Sequence, residues 1–309
     1  MNRNWQEWLK TTVILALIGQ ASTALEPRII GYSMNPAMPI VLDHASKHIT
    51  DLVYFSVQVR ANSTIDESGL TPEGLDAVQV LIEDRGVRVH LAVGGWGRSE
   101  HFAAACESAE SRARLIKAII KICKAHKLSG VDYDWEFPKS EDENALYAAL
   151  IIESKAAFVD EGLEVSAAFS PWQKFDPEVY AAIDRVHLMA YDNKDKHSTL
   201  EDAEKAASGF LEKGVPPEKL FLGVPFYGRA MEDSERSITY RNVLAKHDLA
   251  PEIDEVDGYY YNGPVTIASK VQIAIDLKLG GIMIWELGQD VTGDQSLVKT
   301  IDRVFNSDE

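Results

Sequence analysis

Three carboxylates at alternate positions of one apolar segment form the pattern in this chain most able to do chemistry. They are Asp132, Asp134 and Glu136, within residues 128–138. Alternate residues of a β-strand point to the same face, so the three acids would converge on one face. Burial and neighbouring like charge both raise the pKa of a carboxyl group, so at least one of the three would hold a proton at neutral pH. The cluster therefore predicts a general acid.

Two other interpretations of this segment compete with catalysis. One is an edge strand whose acidic face lies in water, but the bulky apolar residues between and before the acids suit a parallel strand covered by helices. The other is a calcium site, which needs ligands spread around a turn with a sharp glycine rather than strict alternation on an extended strand. Paired acids whose pKa values diverge are instead typical of glycosidases.

The segment resembles DxDxE, the fourth-strand signature of glycoside hydrolase family 18, the chitinase family. Five further segments resemble other strand motifs of that family in family order, namely residues 31–36, 92–96, 188–192, 223–230 and 281–290. Two positions depart from the family pattern, with Ser129 in place of an aspartate and Ala92 in place of a serine. In the family those polar groups help to tune the inner carboxylates, so the departures bear on rate and pH optimum, not on reaction type.

The resemblance implies a mechanism as well as a substrate. The usual retaining glycosidase needs a second carboxylate as nucleophile about 5 Å from the acid, and the sequence offers none to nominate. The resemblance implies that the 2-acetamido oxygen of an N-acetylglucosamine unit attacks instead, giving an oxazolinium ion and retention. In this scheme Glu136 is the general acid, Asp134 orients the acetamido group and Asp132 shares a proton with Asp134. Tyr191 would hydrogen-bond the acetamido oxygen.

The resemblance also assigns residues to a cleft for chitin or N-acetylglucosamine oligomers. Trp285 would form the floor under the reacting sugar, because an indole presents a large apolar face. Other residues that match family positions in the cleft are Tyr32, Asp192, Tyr227 and Arg229. Trp96 and Trp172 each follow a strand and are candidate platforms for flanking sugars, although exposed loop aromatics often serve packing alone.

Eight apolar segments suited to buried parallel strands alternate with segments of helical periodicity. The strands are expected at residues 28–32, 52–57, 87–93, 130–136, 163–169, 186–191, 220–226 and 281–285. Thr71 and Pro72 are the expected cap and first residue of one intervening helix. Eight strand and helix units joined by right-handed crossovers close into an α/β fold, a (β/α)8 TIM barrel. We expect a single catalytic domain over residues 25–309.

The barrel fold sorts the three acids by depth. Active sites of such barrels lie at the C-terminal ends of the strands, so Glu136 is expected at the mouth, with Asp134 and Asp132 in successive layers below. Many members of the family carry an α+β insertion between strands 7 and 8. Residues 229–280 must also contain the crossover helix expected at 265–277, so this insertion is expected to be absent or reduced. The resulting open groove would favour internal cleavage.

Composition narrows the classes of partner. The formal net charge is −17 and 46% of the 309 residues are hydrophobic, as in a globular enzyme. Nucleic acid and anionic membrane surfaces are poor partners for so acidic a chain. The eight histidines show no metal-ligand spacing, and His90 and His187 are interpreted as core residues with inward strand parity. We expect no metal, no cofactor and a monomer.

Residues 1–24 have the pattern of a secretory signal peptide. Arg3 and Lys10 precede an apolar stretch that is too short to span a bilayer, and small residues follow it. We expect export to the periplasm or the cell exterior, and a retained N-terminal anchor is the alternative. Cys106 and Cys123 are expected to be buried free thiols, while the sequence leaves a disulfide between them open.

These observations together predict an exported, endo-acting chitinase that hydrolyses β-1,4 bonds between N-acetylglucosamine residues with retention. An endo-β-N-acetylglucosaminidase acting on N-glycans or on a peptidoglycan-type polymer would share the acid motif. A catalytically silent chitin-binding lectin of the same fold is the alternative from a different class. Such lectins usually lose the terminal glutamate, which is present here as Glu136.

Overall fold

Strands and helices alternate through residues 26–307, the part of the chain that the computed structural model describes. The strands are β1 (Arg28–Met34), β2 (Asp51–Val59), β3 (Ile65–Asp66), β4 (Arg88–Gly94), β5 (Gly130–Asp134), β6 (Glu164–Phe169), β7 (Arg185–Leu188), β8 (Leu220–Pro225), β9 (Tyr227–Ala230), β10 (Asp233–Thr239), β11 (Glu255–Val256), β12 (Tyr259–Tyr260) and β13 (Gly281–Trp285). The helices are α1 (Met38–Asp43), α2 (Pro72–Arg85), α3 (Phe102–Cys106), α4 (Ala109–Ala125), α5 (Glu141–Phe158), α6 (Pro177–Ala182), α7 (Leu200–Glu212), α8 (Tyr240–Lys246), α9 (Pro264–Asp276) and α10 (Leu297–Phe305).

Parallel strands close into a barrel in the order β1, β2, β4, β5, β6, β7, β8 and β13, and β13 pairs back with β1. Helices connect consecutive strands and cover the outside, which confirms the predicted (β/α)8 fold. Each of the eight predicted strands overlaps an observed one. The expected cap is also present, since the Thr71 hydroxyl accepts a hydrogen bond from the N–H of Gly74 in the first turn of α2.

Apolar side chains pack in two layers, one inside the barrel and one between strands and helices. The inner layer consists of Ile30, Tyr32, Val53, Phe55, Ala92, Ala168, Met189, Phe221 and Met283. In the outer layer, Trp135 stacks on Phe102 with ring centroids 5.1 Å apart. The Tyr133 hydroxyl lies 2.8 Å from the Ser154 hydroxyl, also outside the barrel. The alternation along β5 is therefore as predicted, with acids inside and aromatic rings outside.

An ion-pair network closes the N-terminal end of the barrel. The buried Asp51 accepts hydrogen bonds from Arg28 and Arg185, each at 2.8 Å. Arg185 also binds Glu164 at 2.6 Å, and Glu164 lies 3.2 Å from Nε2 of His90. Burial alone would raise the pKa of Asp51, but Arg185 and then Arg28 outweigh it and lower that pKa to about 2. His90 thus belongs to the floor of the barrel.

A small insertion lies between β8 and α9. The α+β subdomain that was expected to be absent or reduced is therefore present in reduced form. Strands β9 to β12 form a four-stranded antiparallel sheet in the order β10, β9, β12, β11, and α8 follows β10. The sequence did not predict this sheet, because β10 is mostly exposed and polar and β11 and β12 have two residues each, so none of them forms an apolar run.

The two cysteines are buried and free, as expected. The predicted signal peptide at residues 1–24 lies outside the described residues. Between residues 26 and 307, no helix has the length and apolar character needed to cross a membrane.

Candidate active site

The three acids lie at increasing distance from the barrel core. Asp132 and Asp134 are on β5, with 0% and 3% of their surface exposed. Strand β5 ends at Asp134, two residues earlier than predicted, so the partly buried Glu136 follows the strand at the mouth. The predicted order of depth is present, although Glu136 is positioned by the loop after the strand.

The loop after β4 holds the end of β5 from one side. Gly94 and Gly95 have φ angles of +101° and +106°, a region that favours glycine. A Cβ on Gly94 would lie 2.4 Å from the carbonyl oxygen of Asp134, while the N–H of Gly95 donates to that oxygen at 2.7 Å. The Ser99 hydroxyl accepts from the N–H of Glu136 at 3.0 Å. These contacts place the Glu136 backbone, and Ser99 is a positioning residue that the sequence did not reveal.

Asp132 is surrounded by hydrogen-bond donors inside the barrel. The Tyr32 hydroxyl donates to Oδ2 at 2.5 Å and the Ser166 hydroxyl to Oδ1 at 2.6 Å. Nδ1 of His187 lies 2.9 Å from Oδ1. Burial would raise the pKa of Asp132, but His187, Ser166 and Tyr32 outweigh it and lower that pKa. His187 is therefore a buried, hydrogen-bonded core histidine, as expected, and its partner is Asp132.

Asp134 and Glu136 are shifted in the opposite direction. Burial raises the pKa of Asp134 well above its usual value, and the charges of Glu136 and Asp132 raise it further. Within the described residues, Oδ1 of Asp134 has no hydrogen-bond partner. Burial, followed by the charge of Asp192, raises the pKa of Glu136 to about 7. The two aspartates are thus shifted in opposite directions, which favours a proton on Asp134 over one on Asp132.

Asp192 forms the centre of a second polar cluster beside Glu136. The Arg229 guanidinium donates to both of its carboxylate oxygens, at 2.7 and 2.6 Å. The Tyr227 hydroxyl donates to Oδ1 at 2.6 Å. Burial opposes ionisation of Asp192, but the hydrogen bond from Arg229 outweighs it, so its pKa is lowered. An ionised carboxylate is thus held where it raises the pKa of Glu136.

Aromatic rings form the floor of the site. Trp285, at the end of β13, packs against Phe55 and Tyr32 with ring centroids 4.8 and 5.5 Å apart. The Tyr191 hydroxyl lies 3.9 Å from the sulfur of Met283, which is a weak hydrogen-bond acceptor. A strong acceptor supplied by a ligand would therefore find this hydroxyl available.

A cleft of about 830 Å³ runs over these residues. It is lined by every predicted site residue other than Asp132, that is Tyr32, Trp96, Asp134, Glu136, Trp172, Tyr191, Asp192, Tyr227, Arg229 and Trp285. Trp96 and Trp172 are 75% and 64% exposed, and Trp172 packs edge-on against Phe137 at 5.1 Å. Asp132 is fully buried beneath the cleft and does not line it.

One wall of the cleft was not predicted. Ser237, Asn242 and Lys246, from β10 and α8 of the insertion, line it together with Phe137 and Met283. Phe137 directly follows Glu136 and could have been nominated from that position, whereas the residues of the insertion follow no recognisable pattern. Within residues 26–307, no group of three or more His, Cys, Asp or Glu side chains is arranged to hold a metal ion.

Comparisons with known proteins identify the family and the fold. The sequence profile of glycosyl hydrolases family 18 matches residues 28–290. A chitinase from the chitin utilization locus of Flavobacterium johnsoniae has a similar structure, with 26% identity and a TM-score of 0.82 over 91% of this chain and 94% of that one. A Cycas revoluta chitinase solved in complex with (GlcNAc)4 has 21% identity and a TM-score of 0.79, over 90% of this chain and all of that one.

A curated relative gives the same result. Chitinase 1 of Aphanocladium album is 24% identical, over 88% of this chain and 82% of its own length. Because the family profile matches residues 28–290, most of the chain, the chain belongs to glycosyl hydrolases family 18 and is a glycoside hydrolase.

Proposed function

We propose that this glycoside hydrolase is a chitinase that cleaves β-1,4 bonds between N-acetylglucosamine residues with retention, by substrate assistance. The observation that carries the proposal is the layered placement of the three acids in the barrel, which shifts their pKa values in different directions. The pKa of Asp132 is lowered, that of Asp134 is raised, and that of Glu136 is raised to about 7. Glu136 can therefore hold a proton at the mouth of the cleft near neutral pH, as a general acid requires.

In the first step, Glu136 donates its proton to the glycosidic oxygen as the bond from that oxygen to the anomeric carbon breaks. The carbonyl oxygen of the substrate's 2-acetamido group forms a new bond to the anomeric carbon, giving an oxazolinium ion. Asp134 orients the acetamido N–H and stabilises the positive ion, and Tyr191 donates a hydrogen bond to the acetamido oxygen. Tyr191 is suited to this role because, among residues 26–307, the weak contact with the Met283 sulfur is the only hydrogen bond that its hydroxyl makes.

In the second step, the Glu136 carboxylate removes a proton from water as the water oxygen attacks the anomeric carbon. The bond to the acetamido oxygen breaks and the acetamido group is restored. Two inversions at the same carbon give net retention. Asp192 is unsuited to act as nucleophile instead, because Arg229 and Tyr227 occupy its carboxylate.

The cleft suits a polymer that binds along the length of the groove. Trp285 would support the reacting sugar, and the exposed Trp96 and Trp172 would support flanking units. The insertion is a sheet of short strands rather than a large subdomain, and the open groove supports an endo mode of cleavage. We propose that the protein acts as a monomer without metal or cofactor.

Export is proposed on the sequence alone. Residues 1–24 would act as a signal peptide, and residues 25–309 would form the mature catalytic domain. A periplasmic or extracellular enzyme would meet a polymer that is too large to enter a cell.

The relatives named above are chitinases, which favours chitin over N-glycans or peptidoglycan as substrate. The presence of Glu136 at the mouth argues against a silent lectin.

The proposal is tested by release of reducing ends from colloidal chitin and chitotetraose. Wild-type protein should cleave both. Glu136→Gln should lose about 10²- to 10⁴-fold in kcat, the usual contribution of a general acid. Glu178→Gln, which removes an exposed carboxylate on α6, is the matched control and should behave as wild type. An inactive wild-type protein that still binds chitin would instead support the lectin.

A further inference from the structure

A histidine lies directly below the proposed catalytic acids. Nδ1 of His187, on β7, is 2.9 Å from Oδ1 of Asp132 and 2.8 Å from the Tyr32 hydroxyl. Both His187 and Asp132 are at most 1% exposed. The proposed mechanism gives His187 no role, although it contacts the innermost acid.

Counting hydrogens shows which atom is the donor. The Tyr32 hydroxyl has a single hydrogen, and the 2.5 Å contact directs it to Oδ2 of Asp132. The tyrosine oxygen then faces Nδ1 of His187 as an acceptor, as does Oδ1 of Asp132. Nδ1 must therefore carry a hydrogen, because two acceptors and no remaining donor lie beside it. The opposite ring nitrogen, Nε2, has no partner among the described residues.

The other side chains around Asp132 supply one further hydrogen-bond donor. Ala92 pairs with Asp132 in the register of β4 and β5 and has only a methyl group to present. Ser166 on β6 is the third donor, through its hydroxyl. The ring of His187 also packs edge-on against Phe221 of β8, at 5.7 Å.

The charged and titratable groups around His187 are few. Asp132 faces it from β5 and Tyr32 from β1, while Arg185 precedes it on β7. Arg185 is bound to Asp51 and Glu164 in the floor network, and Glu164 also contacts His90. Phe221 and Ser166 do not titrate in the working range.

We propose that His187 is a positioning residue that donates its Nδ1–H to Asp132 and so keeps Asp132 a carboxylate beneath Asp134. This inference rests on the proposed function, because it assigns the buried pair of acids a single negative charge during turnover. With Asp132 ionised, the one proton of the pair stays on Asp134. The pair retains negative charge, which helps to stabilise the oxazolinium ion, until the pH is low enough to protonate Asp132 as well.

Removing the donor should therefore change one limb of the pH profile. The acidic limb of kcat/KM marks the pH below which the pair of aspartates holds two protons. Loss of one hydrogen bond to the Asp132 carboxylate should move this limb upward by about one pH unit. The alkaline limb belongs to Glu136, which His187 does not touch, and should stay in place. A purely structural role for His187 would lower activity without separating the two limbs.

Three substitutions distinguish the donor from the ring. His187→Phe keeps an aromatic ring and removes the donor. His187→Gln places its amide nitrogen near the Nε2 position, away from Asp132, and serves if His187→Phe does not fold. His187→Asn places its amide nitrogen near the Nδ1 position and should restore the wild-type acidic limb. The control is His90→Phe, the same change at an inward histidine that contacts Glu164 and none of the three acids.

The carboxyl titration of Asp132 gives a readout that does not need activity. In protein labelled with ¹³C at aspartate carboxyls, the Asp132 signal is identified by its absence in Asp132→Asn. Its midpoint should rise by about one pH unit in His187→Phe or His187→Gln, and should not rise in His187→Asn or His90→Phe. An unchanged midpoint in folded His187→Phe or His187→Gln would overturn the proposal, as would a rise in His90→Phe. Wild-type inactivity with the expected NMR shifts would overturn the proposed function alone.

Discussion

The guanidinium of Arg229 holds the carboxylate of Asp192 through two hydrogen bonds, Nε to Oδ1 at 2.7 Å and Nη2 to Oδ2 at 2.6 Å. Such bidentate pairs define geometry as well as charge. Asp192 follows β7 and has a φ of +62°, a backbone conformation that few residues other than glycine adopt. Its carboxylate lines the cleft. Asp192 is therefore a fixed negative charge next to the proposed acid.

This fixed charge predicts the pH dependence of activity. The pKa of Glu136 is raised to about 7, so kcat/KM should fall as the pH rises through about 7 and the acid loses its proton. Removing a neighbouring negative charge favours the carboxylate form, so Asp192→Asn should move this alkaline limb to lower pH, by on the order of one unit.

The control for Asp192→Asn is Asp160→Asn, which removes one negative charge from the exposed turn that follows α5. Profiles measured on chitotetraose at constant ionic strength should overlap for this control and the wild type. An alkaline limb that moves to higher pH in Asp192→Asn would contradict the assignment of Glu136.

Aromatic residues of the cleft should affect substrates of different length differently. Trp285→Ala removes the proposed floor under the reacting sugar and should lower kcat/KM on both chitotetraose and colloidal chitin by about 10- to 100-fold, as expected for loss of roughly 1.4–2.7 kcal/mol. Trp96→Ala and Trp172→Ala should weaken hydrolysis of colloidal chitin more than that of chitotetraose.

The exposed Val159→Ala, which is outside the cleft, serves as the control for these changes. If Trp96→Ala and Trp172→Ala both left hydrolysis of the polymer unchanged, the two rings would serve packing alone.

The ion-pair network at the barrel floor should contribute to stability. Arg185→Met leaves the buried Asp51 without one of its two arginine partners and should lower the free energy of unfolding by about 3 kcal/mol. Arg114→Met breaks an exposed pair with Glu110 on α4 and should cost only about 0.3–0.5 kcal/mol. Urea titration followed by tryptophan fluorescence measures both, and equal losses would contradict the role given to burial.

The same network predicts the pH dependence of folding stability. The pKa of Asp51 is lowered to about 2 in the folded protein, below its usual value near 3.9. Its stabilisation is therefore complete above about pH 4 and is lost as the pH falls toward 2. Urea titrations at each pH measure the free energy of unfolding. Between pH 5 and 2.5 this free energy should fall more in the wild type than in Asp51→Asn.

The cysteines should be unreactive while the protein is folded. Burial raises the pKa of both Cys106 and Cys123 to about 12, so little thiolate is present at pH 8. Iodoacetamide should label neither residue in native protein and both in 6 M guanidinium chloride without added reductant. Failure to label the unfolded, unreduced protein would show a disulfide in place of two free thiols.

Much of the fold could be predicted because its patterns are local. The alternation of Asp132 and Asp134 with aromatic residues indicated which face of β5 lies inside the barrel. The cap at Thr71 and Pro72 marked the start of α2 from two adjacent residues.

Contacts between distant strands could not be predicted in this way. His187 contacts Asp132 because β7 and β5 both face the interior of the closed barrel, and nothing in the spacing of 55 residues between them indicates it. Ser99 supports Glu136 through a loop whose path depends on the glycine pair before it. The end of β5 was placed two residues too late because Trp135 and Glu136 continue the alternating pattern after strand pairing stops.

Substrate assistance is tested most directly by the anomer that forms first. Chitotetraose hydrolysed by the wild-type protein should give the β-anomer before mutarotation in time-resolved ¹H NMR, and the same tetramer without its N-acetyl groups should not be cleaved. Initial release of the α-anomer, or cleavage of the de-N-acetylated tetramer at a comparable rate, would contradict attack by the acetamido oxygen.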